Sequence, residues 1–130
     1  MGVARQFGAF PVRGIAAVVL ALALSGCDGE APPQGAGTGD PGKGRAVIAS
    51  VGCGVCHEIP GVPGAAGIVA PSLEGFGGRS LIGGVHVNEP AILVSFVSDA
   101  SRLNPGTGMP AMPITERQAL DVAAYLYTLD

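Results

Sequence analysis

The chain has 130 residues, with 22 Gly, 11 Pro, 3 Cys and no Trp, which leaves room for one small domain and some irregular chain. Seven Lys and Arg stand against ten Asp and Glu, a formal charge of −3, and this excludes the basic surface that a nucleic-acid partner requires. The apolar fraction of 48% is inflated by one run near the start.

That run reads as an export signal over residues 1–26. Arg5 and Arg13 supply the positive region, and Gly14 to Leu24 is an almost unbroken apolar stretch, shorter than the ~20 residues that a bilayer span needs. It ends in Leu24-Ser25-Gly26-Cys27, which resembles the lipobox of bacterial lipoproteins. The resemblance implies that Cys27 is acylated and becomes the first residue of the mature chain. Each buried acyl methylene contributes about 0.8 kcal/mol, so two or three chains make release from a membrane rare. By resemblance to enterobacterial lipoproteins, Asp28 implies retention at the periplasmic side of the inner membrane. The alternatives are an ordinary secretory signal, giving a soluble periplasmic protein, and an uncleaved short anchor. Residues 27–42 are rich in Gly, Pro and Ala without an apolar face, the composition of a flexible tether with a reach of about 20 Å. Loss of Arg5 and Arg13 with the leader leaves five basic against ten acidic side chains, a balance suited to partners with a basic face.

The domain proper is expected over residues 43–130, its first helix opening at Asp40-Pro41, an N-cap followed by an N1 proline. Ala46, Val47, Ile48, Ala49 and Val51 form its apolar positions, and Gly52 stops it. Next comes Cys53-Gly54-Val55-Cys56-His57, the spacing used for covalent attachment of a c-type haem: two thioether bonds, then an imidazole facing the iron. A zinc site needs four ligands, and beyond this cluster the mature chain offers only His86 and scattered carboxylates. A thioredoxin-like dithiol belongs beside a βαβ pattern, which the Gly- and Pro-rich flanks do not supply.

Glu89-Pro90 opens a second helix, with Ile92, Leu93, Phe96 and Val97 on its apolar face and an end near Asp99. Asn104 to Pro113 cannot be helical, because its prolines lack backbone donors and its glycines permit tight bends. Thr115 with Gln118 reads as a capping box, ahead of an apolar stripe through Leu120, Ala123, Ala124, Leu126 and Tyr127. Three short helices with few aromatics make a thin core, of the kind that leans on a cofactor. The candidates for a sixth iron ligand are Met109, Met112 and His86. A thioether is a soft donor that favours the ferrous state, whereas His86 otherwise reads as a surface side chain before Pro90.

From about Asp40 to Asp130 the order of features resembles the class I cytochromes c. The stretch Ala70-Pro71-Ser72-Leu73-Glu74-Gly75-Phe76-Gly77-Gly78-Arg79 is similar to the family's Gly-Pro-x-Leu-x-Gly-x-x-Gly-Arg, with Ala70 in place of the first glycine. The resemblance implies that the Pro71 carbonyl accepts a hydrogen bond from His57 and that Arg79 approaches a haem propionate. It selects Met109 over Met112, because Thr107-Gly108-Met109-Pro110 matches the family's axial-ligand loop. Ala123-Ala124-Tyr125-Leu126-Tyr127 looks like its C-terminal helix, whose aromatic face packs on the first. The implied fold is all-α, with three main short helices around one covalently attached haem c. The implied role is electron carriage, from a membrane dehydrogenase or bc1-type complex to a terminal oxidase or another periplasmic acceptor. No catalytic residue is expected. The alternative is a haem-bearing subunit of a larger redox enzyme, or a sensor with an open distal site.

Overall fold

A computed structural model describes Gly2 and residues 38–130. The leader apart from Gly2, Cys27 with its proposed lipid, and the tether through residue 37 lie outside the described residues. The described elements in chain order are α1 (Pro41–Val51), a 3-10 turn (Cys53–Val55), β1 (Leu81–Ile82), β2 (His86–Val87), α2 (Pro90–Ser98), α3 (Ala100–Leu103) and α4 (Glu116–Leu126).

Local chemistry sets the helix ends. The Asp40 carboxylate accepts the Lys43 N–H at 3.0 Å, which also holds that carboxyl below its ordinary range, and Pro41 occupies the first turn. Gly52 stops α1 at φ 79°, donating its N–H to the Ile48 carbonyl, a left-handed conformation that costs a glycine little. At α4 the capping box is complete: Gln118 N–H donates to Thr115 Oγ1 at 3.2 Å, and Thr115 N–H donates to Gln118 Oε1 at 2.9 Å. Because α1 begins at Pro41, the last residues of the expected tether belong to the folded unit.

Helix α4 packs against both α1 and α2. Ile48 of α1, Leu93 of α2 and Ile82 of β1 are the largest fully buried side chains. Where α1 crosses α4 there is no room for side chains. A Cβ on Gly44 would collide with the Asp121 carbonyl, and one on Gly39 with that of Leu120. Asp121 itself is only 4% exposed. Its Oδ1 accepts the Asp40 N–H at 2.8 Å and lies 3.4 Å from Arg117 Nη2, so the buried carboxylate is compensated and ties the start of α1 to α4.

The all-α expectation needs one correction. β1 and β2 form a two-stranded antiparallel sheet with Leu81 opposite Val87 and Ile82 opposite His86. Gly83 and Gly84 turn the chain at φ 57° and 78°, and a Cβ on Gly83 would lie 2.9 Å from the Phe96 ring. Strands of two residues are too short to show an alternating pattern, which is why the sequence does not announce them. No described helix is long and apolar enough to cross a membrane.

The crossing predicts opposite outcomes for neighbouring glycines. Gly44→Ala gains about 1 kcal/mol of helix propensity but overpacks the α1/α4 contact at a cost of about 1–3 kcal/mol, so its urea midpoint should fall. Gly42→Ala, whose Cβ meets only the Asp40 carboxylate at 3.3 Å, should leave the midpoint unchanged or raised.

Candidate functional site

The pentapeptide Cys53–His57 leaves α1 through the Gly52 stop and coils at once into a tight turn. Val55 N–H donates to Gly52 O at 3.0 Å, and the Cys56 and His57 N–H groups both donate to Cys53 O, at 3.2 and 3.0 Å. Both cysteines are free thiols and half-buried. Cys53 packs against the apolar core, and burial pushes its thiol above the ordinary range, with nearby Cys56 adding to the rise.

The chain after His57 folds back along this turn. Ile59 N–H donates to Ala65 O at 3.0 Å, and Gly67 N–H is shared between Gly54 O at 3.1 Å and His57 O at 3.2 Å. Ala70 N–H reaches Cys56 O at 2.9 Å. Two glycines make this approach possible: a Cβ on Gly54 would sit 2.5 Å from that of Ala65, and one on Gly67 would collide with the Cys56 backbone. No non-glycine residue among those described has positive φ, so Ala70 fits where the family resemblance places a glycine.

The fold-back delivers Pro71 to His57. His57 Nδ1 lies 2.7 Å from the Pro71 carbonyl oxygen, and since a carbonyl only accepts, Nδ1 carries the proton. The lone pair is left on Nε2, and the bond fixes the ring's orientation and raises its basicity as a ligand.

Arg79 is half-buried. Its Nη2 donates to Ser72 O at 2.6 Å and to Glu74 O at 2.7 Å, and the guanidinium lies 5.6 Å from the centroid of the Phe76 ring. It therefore braces the segment that follows Pro71, a role the sequence does not disclose.

The two methionines of the loop between α3 and α4 are separated by their surroundings. Met109 is half-buried, packs against the core and donates its N–H to Thr107 Oγ1 at 3.2 Å. Met112 is held by its backbone, N–H to Ser98 O at 2.9 Å. His86 departs from the expected surface position: it is half-buried in β2, with Nε2 3.0 Å from the Leu103 carbonyl oxygen. A groove of about 370 Å³ runs past Val94, Ser98, Leu103 and Glu116. Its lining includes none of Cys53, Cys56, His57 and Met109.

Among the described residues no three His, Cys, Asp or Glu side chains converge as a metal-binding set. The chemistry of Cys53, Cys56, His57 and Met109 fits a haem: the two free thiols three positions apart would be its covalent handles, and the oriented imidazole and the thioether packed on the core would be donors to its iron.

No family model matches the chain. Over 88 residues it is 34% identical to cytochrome c oxidase subunit 2 of Alkalihalophilus pseudofirmus, a match covering 67% of this chain and 25% of that relative. The chain thus spans about a quarter of the relative's length. Its structure is similar to a chain in the crystal structure of SoxXA from P. pantotrophus, with a TM-score of 0.56 and 26% identity, covering 70% of this chain and 82% of the other. The fold is cytochrome c-like, helical with one small sheet. Both likenesses point to a haem-bearing electron-transfer protein.

One surface has no periodic signal in the sequence. Val55 is 76% exposed, Ile68 95% and Val69 81%, all on the turn or on the segment folded against it. Residues 59–73 carry no charged side chain. The signal was present as a charge-free run, but alternation and helical periodicity do not report it.

The His57 geometry has a direct check. Long-range nitrogen–proton NMR at neutral pH should show His57 with its proton on Nδ1; a proton on Nε2 alone contradicts the Pro71 hydrogen bond.

Proposed function

We propose that the chain is a monohaem c-type cytochrome that carries electrons. The thioether bonds form at Cys53 and Cys56, His57 is the proximal ligand and Met109 the distal one. The observation that carries this reading is the His57 Nδ1 to Pro71 hydrogen bond at 2.7 Å, beside two free thiols on one turn. Bound there, haem supplies a one-electron ferric/ferrous couple. His57 is held in one orientation and Met109 offers a soft, neutral donor that favours the reduced state. The partly free guanidinium of Arg79 is suited to pair with a propionate. No nucleophile or general base is assigned, and the reading requires none.

The setting we propose is the periplasmic side of a bacterial inner membrane, reached through acylation of Cys27. There the carrier accepts electrons from a membrane dehydrogenase or bc1-type complex and passes them to a terminal oxidase or another acceptor. A tether raises the local concentration of a small domain near membrane partners. A second reading is favoured by one specific observation: the matched part of the oxidase subunit is a quarter of a longer polypeptide, which suits a domain that works docked within a larger redox enzyme.

Expression with haem maturation machinery, followed by an optical and redox titration, tests the cofactor and its ligation together; a colourless product of apoprotein mass ends this reading. Met109→Ala should lower the potential and let the reduced protein bind carbon monoxide readily, while Met112→Ala should leave the low-spin spectrum intact. The reverse pattern reassigns the ligand. The exposed aliphatic side chains of Val55, Ile68 and Val69 add an expectation about partners. Electron transfer to oxidase-containing membranes should change little with ionic strength, and Ile68→Lys should slow it; a steep salt dependence in the parent protein argues for charged recognition.

A further inference from the structure

The loop that carries Met109 is fastened at few points. From Asn104 onward it is a series of self-contained turns: Gly106 N–H donates to Asn104 Oδ1 at 3.3 Å, Thr107 N–H to Asn104 O at 3.0 Å, and Met109 N–H to Thr107 Oγ1 at 3.2 Å. Among the described residues, none of these bonds reaches another element of the fold. The far end is tied by Met112 N–H to Ser98 O at 2.9 Å. The near end is tied by His86, whose Nε2 lies 3.0 Å from Leu103 O.

That carbonyl belongs to the last residue of α3, whose terminal carbonyls have no partner within the helix. Since a carbonyl only accepts, His86 Nε2 carries the proton and donates it. The donor stands on firm ground. His86 pairs with Ile82, which is 2% exposed, and the glycine turn between them abuts Phe96 of α2. A continuous set of hydrogen bonds and peptide links thus runs from the hairpin through His86, Leu103, Asn104 and Thr107 to the Met109 amide.

We propose that His86 is a positioning residue for Met109: its imidazole fastens the start of the distal loop to the β1–β2 hairpin and governs how firmly the thioether is presented. The link to ligation rests on the reading of Met109 as the distal ligand; the fastening itself does not. His86 then serves the iron without touching it, and its place in the sequence as a rival ligand has a different explanation.

The test uses the full chain with His86→Leu, which removes the donor; His86→Ser, whose hydroxyl is too short to reach Leu103; and His86→Gln, which keeps an N–H donor. Amide hydrogen exchange at Thr107 and Met109 should accelerate roughly three- to tenfold in the Leu and Ser variants, as expected for loss of one hydrogen bond, and stay near the parent rate in the Gln variant. Amides of α4 should not change. In the haem-loaded protein the same two variants should bind carbon monoxide faster when reduced. Unchanged exchange in the Leu and Ser variants, acceleration in the Gln variant, or equal acceleration in α4 overturns the proposal. A parent chain without haem refutes the cytochrome reading instead, and the exchange rates still decide the fastening.

Discussion

The backbone laid along the pentapeptide is the constraint on which the site depends. Gly67 N–H, shared between Gly54 O and His57 O, and Ala70 N–H on Cys56 O hold two strands of chain so closely that a side chain at position 54 or 67 would not fit. Only with that spacing does Pro71 O arrive 2.7 Å from His57 Nδ1. A half-buried imidazole on a flexible loop would sample several rotamers and either tautomer. Here the backbone, through its own hydrogen bonds, selects one ring face and one nitrogen. The orientation of a candidate ligand is thereby built into loop geometry, with no partner side chain needed.

The end of α4 holds that loop in place. Tyr125 OH donates to Pro60 O at 2.6 Å, and Arg45 Nε donates to the adjacent Gly61 O at 2.5 Å, so both α1 and α4 grip the entrance of the fold-back. Beyond its exit, Gly77 N–H donates to Leu129 O at 2.7 Å. Tyr127 OH donates to Asn88 Oδ1 at 2.9 Å, and the Asn88 amide group donates to Arg79 O at 2.9 Å and Phe76 O at 3.3 Å. Burial raises the Tyr127 phenol above its ordinary range, with Glu89 adding to the shift, so it stays a donor. Each such bond contributes about 0.5–1.5 kcal/mol, but leaving a buried partner unsatisfied costs more. Both ends of the fold-back that follows His57 therefore inherit the rigidity of the α1/α4 crossing.

What could be read in the sequence was local. Asp40 with Pro41, Gly52, and Thr115 with Gln118 act within one turn of themselves, so both limits of α1 and the start of α4 were legible and the structure keeps them. The pentapeptide was legible for the same reason, since its chemistry is written in consecutive residues. The hairpin was not, because two-residue strands carry no period; its signal was the Gly83-Gly84 pair, whose left-handed angles a turn exploits. Asp121 has no local signal for burial, yet it is buried where Gly44 brings the α1 backbone onto it. His86 reads as a surface side chain because its partner is a helix-end carbonyl seventeen residues on. The burial of Asp121 and the His86 bond share a cause: each involves a contact between segments distant in sequence, made where a glycine or an unpaired carbonyl leaves space.

The distribution of charge bears on recognition. The acidic excess suggests a basic partner, yet residues 59–73 beside the pentapeptide carry none of it, and Val55, Ile68 and Val69 stand in solvent there. Surface charges act over about 8 Å at physiological ionic strength, so the exposed Glu58, next to His57, bears on the contact, while acids farther off can only steer an approaching protein. Contact at an aliphatic rim gains free energy from the apolar area removed from water, which is non-directional and tolerates several docking poses. A carrier that must meet and leave two partners is served by a small contact of that kind, weak enough to release. A domain docked permanently in an enzyme would instead extend the apolar area until dissociation became rare. The size of the apolar face around Cys56, more than its location, is what separates the two readings.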